Sequence, residues 1–265
     1  MKGWAVVTGA SSGIGAEFAR ELSRRGHPVL AVARREERLE ALAEEVARLG
    51  GRIQPCAADL ATEEGIASAL QQTKEVGQTE LLVNNAGIAP AGDFLTASVD
   101  EQIAAIRLNV EALLKLTHAV LEGMIERKRG AILNVASVVA FQPFPHFAVY
   151  AASKAFVLSF TEALAEEIKG TGVRTLALCP GSVGTEMGVF AHNEGLLGKL
   201  PALTAQQVVR AGLQALERRN VVKVVGLLNS ALPLMGRLLP RRTMRWVMGV
   251  SAKPPRTVAA QKTTP

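Results

Sequence analysis

The sequence predicts a doubly wound α/β domain: one parallel β-sheet of about seven strands with helices on both faces. Three observations carry that expectation. Short apolar runs alternate with longer amphipathic segments along most of the 265 residues. The short runs are apolar on both sides of the strand, as strands buried between two helical layers must be. A glycine-rich turn directly follows the first run.

Taken in order, the strand-like runs are Trp4–Thr8, Val29–Ala33, Arg52–Ala57, Leu81–Asn84, Ala131–Val135, Thr175–Leu178 and Val221–Val225. Segments with helical periodicity separate them, among them Ile14–Arg25, Glu36–Leu49, Val99–Arg127, Ala148–Lys169 and Ala205–Arg218. Residues 1–227 are expected to form the single catalytic domain, with a loop at 186–203 serving as a lid. Residues 228–265 form a basic C-terminal extension. In such a sheet, ligands bind outside the carboxyl ends of the strands, so chemistry is expected in the loops that follow them.

Composition narrows the function classes. The 48 % hydrophobic and 20 % charged content is that of a globular protein. No apolar run is long enough to span a bilayer. The first residues lead straight into a strand-like run, so no signal peptide is expected and the cytoplasm is the expected compartment. Cys56 and Cys179 stand alone, which argues against a disulfide framework or a zinc site, and each is expected to pack as a small buried residue. The net charge of +6 is uneven. Residues 228–265 hold seven basic and no acidic residues, leaving 23 basic against 24 acidic elsewhere. That confinement to one tail argues against a nucleic-acid-binding module.

The turn after the first strand reads Thr8-Gly9-Ala10-Ser11-Ser12-Gly13-Ile14-Gly15 and opens a helix. Gly9, Gly13 and Gly15 permit a tight turn and close backbone approach, and the helix start offers unpaired N–H donors, so a dinucleotide pyrophosphate fits. The spacing is GxxxGxG, a variant of the general fingerprint. Sites for NAD commonly end the second strand with a carboxylate that holds the ribose 2′-hydroxyl. Here Ala33 stands there, followed by Arg34 and Arg35. Guanidinium groups bind a 2′-phosphate that a carboxylate would repel, so NADP(H) is the expected cofactor. Arg34, nearer the strand end, is the preferred ligand; one of the two arginines is expected simply to open the exposed helix.

Tyr150, the only tyrosine, and Lys154 share one face of a helix at i, i+4 spacing. A neighbouring ammonium favours the phenolate and brings the tyrosine closer to a useful acid–base range. The expected roles of Lys154 are to tune the tyrosine and to hold the nicotinamide ribose. Ser137, just beyond the fifth strand, is placed to donate to a substrate oxygen.

These residues resemble the short-chain dehydrogenase/reductase family, specifically an NADP(H)-preferring carbonyl or 3-oxoacyl reductase-like member. The likeness rests on Thr8–Gly15, Asp59-Leu60, Asn84-Asn85-Ala86-Gly87, Asn109, Ser137, Tyr150-Ala151-Ala152-Ser153-Lys154 and Pro180-Gly181-Ser182-Val183-Gly184-Thr185. The resemblance implies a catalytic unit of Asn109, Ser137, Tyr150 and Lys154. It implies adenine contacts from Asp59 and Leu60, an adenine-ribose side lined by Asn85, Ala86 and Gly87, and a water held by Asn109 as a proton relay. Pro180, Gly181, Val183 and Thr185 would hold the nicotinamide. Together with Ser11, Ser12, Gly13, Ile14 and Gly15 they complete the expected cofactor set. The implied activity is interconversion of a ketone, aldehyde or 3-oxoacyl group with an alcohol, and the implied assembly is a homo-dimer or homo-tetramer. The alternative is an NADP(H)-binding regulatory protein without turnover.

Three segments are left with open readings. Phe141, Phe144 and Phe147 either line an apolar cleft or pack their own loop, and His146 is expected as a polar rim residue. Within 186–203, Gly188, Gly195, Gly198 and Pro201 alternate with Met187, Val189, Phe190, Leu196 and Leu197, a composition that suits a lid. Leu232–Val250 reads as short amphipathic pieces broken by Pro233 and Pro240. Two readings stand: a flap beside the cleft or against a partner subunit, or a weak peripheral membrane contact. Lys253–Pro265 is expected to be disordered.

Overall fold

The computed structural model describes residues 2–186, 202–226, 229, 236 and 238–251. The lid expectation for 187–201, the break at Pro233 and the disorder expected of Lys253–Pro265 lie outside the described residues.

Seven parallel strands form one sheet in the order β3-β2-β1-β4-β5-β6-β7. They are β1 Trp4–Thr8, β2 Val29–Ala33, β3 Ile53–Ala57, β4 Thr79–Asn84, β5 Gly130–Val135, β6 Val173–Pro180 and β7 Val222–Val225. The chain winds outward from β1 through β3, then returns to lay β4 on the other side of β1. Loops after β1 and β4 therefore diverge from neighbouring strand ends and open a crevice between them, which is the ligand position of doubly wound sheets.

Strand alternation explains the two cores. Ala5, Val7, Leu81, Val83, Leu133 and Leu176 face one apolar layer. It is closed by α1 (Gly13–Arg24), α2 (Glu36–Arg48) and α7 (Ala205–Glu217). Val6, Leu30, Leu82 and Ile132 face the other. That face is covered by α3 (Glu63–Glu75), α5 (Ala112–Glu126) and α6 (Ala148–Glu167). Local chemistry starts several of these helices. Thr62 accepts from the Gly65 amide at 3.0 Å to cap α3, and Thr204 with Gln207 forms a reciprocal capping box on α7.

The helix predicted over Val99–Arg127 is not continuous. After α4 (Val99–Ile106) the backbone widens into a π-helical turn at Arg107–Glu111 before α5 begins. The extra residue turns Asn109 inward, where it is 2 % exposed. Periodicity could not reveal this, because the apolar stripe resumes on the far side of the bulge.

Beyond β7, α8 (Arg241–Ser251) starts directly after Pro240 and docks Met244 and Met248 into a cluster with Val138, Val139, Phe144, Phe147 and Tyr150. Among the described residues no helix is long and apolar enough to cross a membrane.

Candidate active site

The turn after β1 is held open for a ligand by its glycines. Gly9 and Gly13 have φ of 68° and 54°, which side chains resist. A Cβ on Gly15 would fall on the Gly9 carbonyl. Asn85 braces the turn by donating its side-chain amide to Thr8 O at 2.9 Å, while the Asn85 and Ala86 amides both donate to Thr8 Oγ1. Asn85 thus supports the cradle through its side chain. Helix α1 follows with no acidic residue in its first turn and no side-chain cap from Ser12. Its dipole end and N–H groups are left to meet an anion.

A cleft of about 330 Å³ runs along these strand ends. Its walls include Gly9, Ser11–Ile14, Arg34, Arg35, Asp59, Leu60, Asn85–Gly87 and Thr185. Residues 150 positions apart in sequence thus share one groove. Gly181 and Val183 sit differently. Val183 is 7 % exposed and packs its side chain into the sheet core, bridging to Leu203. Gly181 lies tight against the Asn229 side chain.

Arg35, rather than Arg34, lies across the phosphate turn. Its guanidinium donates to Ser11 Oγ at 3.1 and 3.2 Å and to Ser12 Oγ at 2.9 Å. Arg34 points toward the Asp59 carboxylate at 3.8 Å. Arg38, which sequence reasoning passed over, joins Arg35 in gripping Glu186, at 2.6 and 2.8 Å. The signal for Arg38 was its position three residues after Arg35 on one helix face. These two guanidinium groups hold the Glu186 carboxyl down at about 2.

At the other end of the crevice, Ser137, Tyr150 and Lys154 come together with exposures of 4, 4 and 3 %. Ser137 lies just beyond β5 and accepts from the Val139 amide at 3.3 Å. Burial pushes the Tyr150 phenol up to about 12, and the nearby Ser137 hydroxyl pulls the other way. Lys154 Nζ lies 5.8 Å from the centre of the tyrosine ring and donates to Val135 O at 2.7 Å. The β4–β5 pairing ends at Asn84 and Asn134, and the amides that follow β4, of Asn85 and Ala86, donate to Thr8 Oγ1. The Val135 carbonyl instead receives the lysine. Burial lowers the Lys154 ammonium to about 8.

Asn109 is committed as a brace. Its Oδ1 accepts from the Ile88 amide, and its Nδ2 donates to Ile88 O and Ser153 Oγ, each at 3.0 Å. A cavity of about 10 Å³ does lie between Asn109, Lys154 and Asn84; one water needs about 10–15 Å³. Deeper still, Asn84 Nδ2 donates to Asn134 Oδ1 at 2.9 Å, and Asn134 Nδ2 donates to Thr161 Oγ1 at 2.9 Å. This buried chain ties β4 and β5 to the helix carrying Tyr150. It was not foreseen, because its partners are 27 to 50 residues apart.

The open readings of the 141–147 loop resolve toward packing for two of its three aromatics. Phe144 and Phe147 are each 2 % exposed, with ring centroids 5.3 Å apart. His146 sits at the rim, with φ of 63° and Nδ1 2.8 Å from Asp93 Oδ1. Cys56 and Cys179 are free and buried, and no group of potential metal ligands occurs among the described residues.

Comparison with known proteins agrees with this geometry. The family profile for short chain dehydrogenases matches residues 3–194. A short chain dehydrogenase of Pseudocercospora fijiensis is 43 % identical over 187 residues, covering 69 % of this chain and 60 % of that protein. The 17-beta-hydroxysteroid dehydrogenase type 3 of Mus musculus is 37 % identical over 198 residues, covering 73 % of this chain and 64 % of that protein. Of these two relatives the match thus spans less than two thirds. Among solved structures, a short-chain dehydrogenase from Sphingobium yanoikuyae in complex with NADPH superimposes with a TM-score of 0.78 at 30 % identity, covering 91 % of this chain and 97 % of that one.

Proposed function

This chain belongs to the short-chain dehydrogenase family, and we propose that it interconverts a carbonyl compound and an alcohol with NADP(H) as hydride carrier. The observation that carries the proposal is the joint burial of Ser137, Tyr150 and Lys154 at the strand ends, with Lys154 one helical turn beyond Tyr150.

The residues present fit the cofactor. The glycine turn and the start of α1 accept a pyrophosphate, and Asp59 and Leu60 line the adenine end. Arg35 and Arg38 supply two guanidinium groups beside Ser11 and Ser12 for a 2′-phosphate. NADP(H), when bound, supplies or accepts the hydride. Lys154 is proposed to hold the nicotinamide ribose, and the 181–185 backbone to orient the ring.

Ser137 holds the substrate oxygen. A phenol near 12 is neutral at physiological pH, so Tyr150 is set to donate its proton to that oxygen in the reductive direction. Lys154 and the small cavity beside Asn109 then return a proton to the phenolate. In the oxidative direction Tyr150 must first lose its proton, so that direction is favoured by alkaline pH. A silent regulatory protein would have no need of this assembled unit.

The apolar surroundings of Tyr150, Met244 and Met248 among them, suit an apolar substrate. Assembly as a homo-dimer or homo-tetramer through α4–α6 is part of the proposal, supported by exposed Ile103, Ile106 and Phe156, and the cytoplasm is the proposed compartment. The test is NADPH consumption against ketones, aldehydes, 3-oxoacyl thioesters and steroids, with Tyr150→Phe beside the parent protein. Loss of about 10²–10⁴ in turnover with NADPH affinity retained is expected. Near-normal turnover by the phenylalanine variant would refute the assignment.

A further inference from the structure

The two sides of α8 have opposite chemistry. Met244 and Met248, each 2 % exposed, bind the helix to the Tyr150 cluster. The outward side carries Arg242, Trp246 and Val250 at four-residue spacing, flanked by Arg241 and Arg245. Trp246 is 70 % exposed and Val250 63 %, while Leu238, just before the helix, is 73 % exposed. Among the described residues, Arg241, Arg242 and Arg245 have no carboxylate partner; the recorded ion pairs all lie at Glu17 to Lys169 or reach Glu186 and Glu217.

We propose that this outward face is a docking surface for an anionic lipid membrane. An indole and two aliphatic side chains at the level of several arginines match the polar–apolar boundary of a bilayer, where the indole enters the headgroup region and the guanidinium groups stay with lipid phosphates. Charge singles out the acidic bilayer. The 38 residues from Leu228 onward carry seven basic and no acidic side chains, whereas the rest of the chain is close to neutral. A nucleic acid would engage the arginines and leave Trp246, Val250 and Leu238 in water. A peripheral contact of this kind needs no spanning segment.

The consequence for the site rests on the function proposed above. Because the inner side of the same helix touches the Tyr150 cluster, docking places the substrate cleft next to the lipid surface. An apolar carbonyl compound dissolved in the bilayer then has a short route to Tyr150.

The test uses the full chain with sedimenting vesicles of phosphatidylcholine, alone or with about one third phosphatidylglycerol. Binding is expected to the mixed vesicles only and to fall with added salt. Arg242→Gln and Arg245→Gln each lower the partition about fivefold. Trp246→Ser lowers it too, and all three substitutions leave turnover of a small water-soluble ketone unchanged. Equal binding to neutral and anionic vesicles, binding that survives all three substitutions, or no binding at all overturns the proposal. So does gel filtration in which the same substitutions dissolve a dimer, since the face then belongs to a second copy. NADPH affinity measured on the same samples separates the two proposals. A chain that docks but binds no NADPH refutes the function and keeps the surface.

Discussion

Replacing Lys154 with methionine should remove activity and yet leave the cofactor-free fold at least as stable as before. Burial holds the ammonium near 8, against an ordinary 10.5. At about 1.4 kcal/mol per pH unit, that difference is a penalty of about 3 kcal/mol on the folded state at neutral pH. Methionine fills much the same volume without the charge. It also leaves the Val135 carbonyl without the donor now at 2.7 Å, which costs about 1–3 kcal/mol. The net expectation at pH 7 is a gain of about 0–2 kcal/mol.

The pH dependence is the sharper readout. Below pH 8 the lysine is charged in both the folded and unfolded states, so the whole penalty is present. Between about 8 and 10.5 the unfolded chain holds the proton that the folded chain has released, and the parent protein gains stability as pH rises. The advantage of Lys154→Met should therefore be about 1 kcal/mol smaller at pH 9 than at pH 7. Urea titration without cofactor measures it, since bound NADPH would add stability by mass action. Turnover should fall by about 10² or more. A variant destabilised by several kcal/mol at pH 7, or an advantage independent of pH, would refute the reasoning.

Other perturbations probe the cofactor end. Arg35→Ala should weaken NADPH about tenfold or more while changing NADH little, because it removes a charge-assisted contact that only the 2′-phosphate uses; fluorescence titration with both nucleotides distinguishes the cases. Glu186→Gln should tighten NADPH, since the carboxylate competes for Arg35 and Arg38; unchanged affinity would show that the pair opens without cost. Gly15→Ala should abolish binding of either nucleotide, because its Cβ would fall on the Gly9 carbonyl; a variant that folds and still binds would disprove the tight-turn argument.

Much of the scaffold was legible because its signals are local. Burial on both faces of short runs fixes strands, 3.6-residue periodicity fixes helices, and a glycine at positive φ marks a turn whatever surrounds it. The i, i+4 spacing of Tyr150 and Lys154 likewise needs nothing beyond one helix. The π-helical turn was hidden, because a single inserted residue leaves the apolar stripe intact on either side. Distance along the chain favours Arg34 as the 2′-phosphate ligand; both arginines line the cleft, and the contact of Arg35 with Ser11 and Ser12 has no local signal.

By itself, then, the sequence determined the sheet, the glycine-rich turn and the shared helix face of Tyr150 and Lys154, since each rests on short-range steric and periodic constraints. Only the tertiary structure decided which groups meet across long separations. It turned Arg35 and Arg38 onto Glu186, some 150 residues away. It gave Lys154 the Val135 carbonyl, committed the Asn109 amide to Ile88 and Ser153, and laid Met244 and Met248 against Tyr150. Those contacts depend on how whole layers pack, and no local pattern encodes the direction in which a buried polar group will find its partner.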